Sequence, residues 1–175
     1  MRAFFLGLLV VFAAPAAAEV VSANPNGFHV RQSVQLVIPP DLAYATFGRV
    51  GSWWNKGHTY SGKAENLSMA LSGGGCFCER LPNGGGVEHL RVAFVDPGKR
   101  LILTGSLGPL LYDATAGSMD VQFEKIAGGT RVTMDYRVAG FANGGAEKMA
   151  PLVDGVLGDQ FKRYREFART QRPER

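Results

Sequence analysis

Apolar and polar positions alternate with a period of two through most of the chain, and shift to a period of three to four near its end. Between residues 146 and 170 the apolar positions are Met149, Val153, Val156, Leu157, Phe161, Tyr164 and Phe167. That spacing predicts a long helix with one buried stripe. Lys148, Lys162, Arg165, Glu166 and Arg169 fall on the opposite face. Gln160 interrupts the stripe one turn before Tyr164. This polar pair is either satisfied inside a core or turned into a hollow.

The period-two stretches predict strands. Residues 28–38 alternate Phe28, Val30, Val34, Leu36 and Ile38 with His29, Arg31, Ser33 and Gln35. Pro39-Pro40 ends that strand, and Asp41 opens a short helix over residues 42–50, with a further helical turn at Gly51-Ser52-Trp53-Trp54. Strands follow at 67–71, 76–81, 87–95, 101–106, 118–126 and 130–139, separated by glycine- and proline-rich turns such as Asp96-Pro97-Gly98-Lys99. Gly128-Gly129 suits a two-residue hairpin turn. It pairs Phe123 with Met134, Val121 with Tyr136, and Asp120 with Arg137. The same logic sets Cys78 near Leu90 and Glu79 near His89. Seven strands and one long helix indicate an α+β fold, an antiparallel sheet curled around the C-terminal helix.

The N-terminus does not share this patterning. Arg2, an apolar run over residues 4–14 and Ala16-Ala17-Ala18 have the order of a signal peptide, and the run is too short to span a bilayer. Cleavage near Ala18 sends the chain to the periplasm or outside the cell, with no membrane span afterwards. Residues 19–26 read as a loose leader, 27–170 as one domain, and 171–175 as a disordered tail. The formal charge is +4. The basic excess gathers at the helix C-terminus, where cations are favourable. No aromatic residues alternate with it, which excludes a base-stacking nucleic-acid surface.

Candidate chemistry is sparse. Cys76 and Cys78 lie two apart in a strand, so roughly 6.5–7 Å separates them at about 3.3 Å rise per residue. A bridge there needs distortion, and they are expected to be free, buried thiols facing Leu90 and Val92, with a redox pair as the alternative in an oxidising compartment. Two thiols are too few for a structural zinc site, so no metal and no cofactor is expected. His58, Tyr60, Glu79 and His89 form the acid/base set. The Glu79–His89 pairing falls on the face opposite the cysteines, beside Arg91, and reads as a wet ion pair. His58 and Tyr60 occupy a loop at the sheet edge. There is no nucleophile elbow, no zinc-binding helix motif and no phosphate loop.

Trp53-Trp54, His58-Thr59-Tyr60-Ser61-Gly62, Gly74-Gly75-Cys76-Phe77-Cys78-Glu79, Asp96-Pro97, Gly108-Pro109-Leu110 and Gly129-Thr130, followed by the closing helix, resemble the START-like superfamily, also called SRPBCC. The resemblance is to its exported branch of polyketide cyclase/dehydrase-like and chaperone-ATPase-activator-like domains. It implies a helix-grip fold: seven antiparallel strands wrapped around the terminal helix, two short helices after strand 1, and a deep apolar cavity between helix and sheet. A small-molecule binder follows, for an apolar or amphipathic ligand. Its expected lining is Trp54, His58, Tyr60, Leu90, Val92, Phe94, Met134, Tyr136, Leu157, Gln160, Phe161 and Tyr164. The alternatives are a cyclase- or hydrolase-like enzyme using His58 and Tyr60 in the same cavity, and a protein-interaction module with a collapsed core.

Overall fold

The computed structural model describes residues 18–171. In chain order these form β1 (Ala18–Asn24), β2 (Gly27–Leu36), α1 (Pro40–Gly48), β3 (Leu67–Met69), β4 (Cys76–Arg80), β5 (Gly86–Asp96), β6 (Arg100–Thr104), β7 (Ala116–Ile126), β8 (Gly129–Ala139) and α2 (Ala146–Thr170). Short 3-10 turns at Val50–Ser52, Lys56–His58 and Gly108–Asp113 fill the connections. The segment read as a signal peptide lies, apart from Ala18, outside the described residues, as does the tail beyond Gln171. Among the described residues no helix is long and apolar enough to cross a membrane.

The strands make one open antiparallel sheet in the order β1-β2-β8-β7-β6-β5-β4-β3. It has eight strands rather than seven. The extra one is the expected leader, which folds back on β2 through a turn where the Asn24 side chain accepts from the backbone of Asn26 and Gly27 at 2.9 and 3.1 Å. Both faces of β1 are largely exposed, so it carries no inward apolar pattern from which a strand could be read.

α2 packs across β1, β2 and α1 with Leu157, Phe161, Tyr164 and Phe167 buried. Its first turn is anchored in the same corner: Gly145 takes a positive φ of 97° before the helix, and the Ala146 amide donates to the Pro25 carbonyl at 3.2 Å. Of the two short helices expected after the first patterned strand, α1 forms and the second is only the turn at Val50–Ser52. α1 brings Phe47 against the rings of Tyr164, Trp53 and Phe123, at centroid separations of 5.4, 5.4 and 5.9 Å.

Two registers differ from expectation. The last hairpin turns at Ala127-Gly128, so Phe123 pairs with Val132, Val121 with Met134 and Asp120 with Asp135. The slip is by two residues and keeps every side chain on its face. Asp120 finds its cation on the neighbouring strand instead, in a two-pronged contact with Arg100 at 2.9 and 2.7 Å.

The second difference inverts a face. β4 and β5 pair Phe77 with Leu90 but Cys78 with Glu88, leaving His89 as the extra residue of a bulge. Phe77 and Glu79 therefore point inward, and the cysteines lie half-buried on the outer side. Cys76 and Cys78 are joined by a disulfide, their Cα atoms 5.3 Å apart, closer than a regular strand sets them. The expectation of free, buried thiols is thus wrong on both points. A second irregularity, between Val92 and Phe94, turns Phe94 outward, 46% exposed.

Thiol titration of the denatured, unreduced protein is expected to find no free thiol, and two after reduction. Two thiols before reduction would remove the bridge from the fold.

Candidate functional site

The twelve expected lining residues separate into three groups. Trp54, His58, Tyr60 and Leu157 border an open cavity of about 520 Å³. Leu90, Val92, Met134, Tyr136, Phe161, Gln160 and Tyr164 are buried in the core and do not line it. Phe94 is on the outer surface. The deep hollow expected between helix and sheet is closed. What remains under Gln160 is a void of about 10 Å³ bordered by Trp54, Met134, Leu157 and Phe161, room for about one water.

Gln160 and Tyr164 are core residues with assigned partners. Gln160 Oε1 accepts from the Asn55 backbone amide at 2.7 Å, and Tyr164 donates to the Ala43 carbonyl at 2.8 Å. The glutamine ties the start of the Asn55–Tyr60 loop to α2. Asn55 completes the tie, donating through its side chain to Asp159 at 2.7 Å and accepting from the Gly57 amide at 2.9 Å. Trp54 then donates its indole N–H to the His58 carbonyl at 3.0 Å. These bonds hold the loop as one wall of the cavity.

The opposite wall comes from α2, through Met149, Leu152, Val153 and Val156 together with Leu157. The third wall is the segment at Leu107–Leu110. Tyr136 secures it from the core: the tyrosine oxygen accepts from the Leu107 amide at 3.1 Å and donates to the Gly105 carbonyl at 3.3 Å. Gly117 makes room for that hydroxyl, since a Cβ there would lie 2.8 Å from it. Tyr136 therefore positions the site without touching it.

The polar side holds a pair that the inverted register had hidden. Glu79 is 1% exposed and His89 5% exposed, and His89 lines the cavity. His89 Nε2 lies 3.0 Å from Glu79 Oε2. The carboxylate also accepts from the backbone amides of Ser61 and Tyr60, at 2.5 and 3.1 Å. Burial alone would raise the Glu79 pKa, but the Ser61, Tyr60 and His89 hydrogen bonds outweigh it and hold it below the usual range. Burial lowers the His89 pKa, against the opposing pull of Glu79, so the ring stays neutral near pH 7. Tyr60 stacks on it at 5.9 Å with planes 26° apart, and Phe77 packs on it at 5.2 Å. An oriented neutral imidazole beside an apolar cavity can accept a hydrogen bond or a proton. The wet ion pair expected at Glu79 and His89 is instead the most buried polar pair of this region. The available signal was the phase it shares with Phe77.

A wider groove, about 910 Å³, lies at the sheet end that carries the β5–β6 and β7–β8 turns, between Pro39–Asp41 and Pro97–Lys99. It borders no buried titratable group, and the smaller cavity is the better candidate.

No family model matches the chain, and no curated protein does. Solved structures share its fold. Protein MLL2253 from Mesorhizobium loti is 18% identical with a TM-score of 0.58, over 81% of this chain and 98% of its own. CalU16 from Micromonospora echinospora is 11% identical with a TM-score of 0.57, over 91% and 88%. DynU16, a protein of the dynemicin biosynthetic locus, is 18% identical with a TM-score of 0.58 over 83% of this chain. The match spans about half of DynU16, 48% of its length. These likenesses show the fold alone: an antiparallel sheet closed by a long C-terminal helix.

Gln160→Leu is expected to cost about 1 kcal/mol, because it removes the acceptor of the half-buried Asn55 amide. A variant as stable as wild type in urea titration would show that amide satisfied elsewhere. Acid should weaken the fold in two stages. The unfolded chain takes up a proton at a histidine as pH falls through about 6.5 while folded His89 resists it, and stability falls from there. Glu79, with its folded pKa depressed, adds a further loss below about 4.5. Melting temperatures from pH 7 to 3 check this, and His89→Gln should flatten the upper stage. A wild-type curve flat between pH 7 and 5 would place a charged His89 in the folded protein.

Proposed function

We propose that the chain is an exported START-like protein that binds an apolar or amphipathic small molecule in the cavity between α2, the Asn55–Tyr60 loop and the Leu107–Leu110 segment. The observation that carries this reading is the cavity itself. At about 520 Å³ it has the size of a small-molecule site. Its walls are aliphatic on α2, and its few polar side chains are His58, Thr59, Tyr60 and His89. The exposed Leu152, Tyr60 and neighbouring Leu111 and Tyr112 add apolar surface around it. The signal-peptide order of Arg2, the apolar run over residues 4–14 and Ala16-Ala17-Ala18 supports the exported part of this reading.

The test uses protein recovered from the periplasmic fraction, whose mass reports whether it begins at Glu19. N-phenyl-1-naphthylamine should brighten on binding, and Val156→Trp, which fills the cavity, should weaken that binding at least tenfold. Equal binding by the variant, or none by wild type, would end the cavity reading.

A further inference from the structure

Three buried side-chain polar atoms lack a partner among the described residues: Tyr44 Oη, Gln160 Nε2 and His89 Nδ1. Their surroundings separate them. The Gln160 amide borders the void of about 10 Å³, too small for a ligand. Tyr44 lines neither that void nor the candidate cavity. His89 alone belongs to a residue of the 520 Å³ cavity.

Its partner fixes its chemistry. Glu79 accepts on both oxygens, from two backbone amides and from His89 Nε2. A carboxylate with that set of neighbours is an acceptor only, so Nε2 carries the hydrogen. A neutral imidazole has one N–H, which leaves Nδ1 with a bare lone pair. The ring is held from turning over by its bond to Glu79 and by Phe77 packed against it. An acceptor buried without a donor is rare in folded proteins and costs stability. A donor that enters with a ligand removes that cost.

We infer that His89 Nδ1 accepts a hydrogen bond from the cavity's occupant, which is therefore an apolar compound bearing a hydrogen-bond donor such as a hydroxyl group. The inference rests on the ligand-binding reading and specifies the ligand class. The apolar body suits Trp54 and Tyr60 on the loop wall and the aliphatic wall of α2. Tyr60 covers His89 and is itself 40% exposed, so the donor reaches Nδ1 as Tyr60 shifts from its stack. His58 and Tyr60 also line the cavity, but neither presents a buried acceptor without a donor.

The experiment compares 2-naphthol with 2-methoxynaphthalene, which keeps the ring system and loses the donor. Calorimetric titration of the full chain should give roughly tenfold tighter binding of the naphthol, the worth of one buried hydrogen bond. In wild-type protein labelled with ¹⁵N-histidine, the unprotonated His89 nitrogen should move upfield with 2-naphthol and stay put with the ether. His89→Phe should bind both compounds alike. Equal wild-type affinities, or a nitrogen resonance unmoved by bound 2-naphthol, would overturn the inference while leaving the cavity reading intact. If neither compound binds wild type, the cavity reading fails and takes the inference with it.

Discussion

The contact of the aromatic stripe of α2 with α1 and the turn that follows it decides where this protein has room for anything else. Phe161 and Tyr164 meet Phe47 at 6.5 and 5.4 Å, and Trp53 meets Tyr164 at 5.4 Å. Each of these rings buries a large apolar surface, and together they close the interior along the second half of α2. The centre is consequently solid, and the open volume is displaced toward the first half of α2. There the stripe becomes Met149, Val153 and Val156, and no large ring occupies the gap. The change from aromatic to aliphatic along one helix face divides its packing half from its cavity half.

Burying Glu79 imposes the second constraint. A carboxylate at 1% exposure needs donors on both oxygens, and besides His89 the protein supplies one to each oxygen from outside the sheet. The amides of Tyr60 and Ser61 come from the loop, so an electrostatic requirement in β4 fixes the course of a segment with little regular structure of its own. The loop is pinned at its other end by Gln160 through the Asn55 amide. One wall of the cavity thus hangs between a buried acid and a buried amide. Neither is part of the cavity lining on that wall.

The α+β class, the terminal helix and the succession of patterned strands were legible in the residues, because period and turn chemistry are local. Gln160 and Tyr164 were correctly marked as the exceptions on an apolar stripe, but their alternatives could not be separated without knowing that Asn55 and Ala43 come within reach. β1 escaped notice because an exposed edge strand has no inward phase. The faces of β4 and β5 were misread for a different reason. Alternation gives two equivalent phases, and a bulge at His89 switches between them part-way along a strand. Phe94 was misplaced by the next irregularity on the same strand. Lost phase, rather than lost hydrophobicity, accounts for those errors.

The Cys76–Cys78 bridge lies on the outer face of the strand whose inner face carries Phe77 and Glu79. By drawing two alternate Cα atoms to 5.3 Å it shortens β4 beside β5, where the pairing slips at Phe77 and Cys78. The buried acid thus shares its strand with a bond that translation does not make. Synthesis delivers the chain; oxidation completes the wall. Reduction would remove the restraint that holds alternate Cα atoms of β4 at 5.3 Å, on the strand that also carries Glu79.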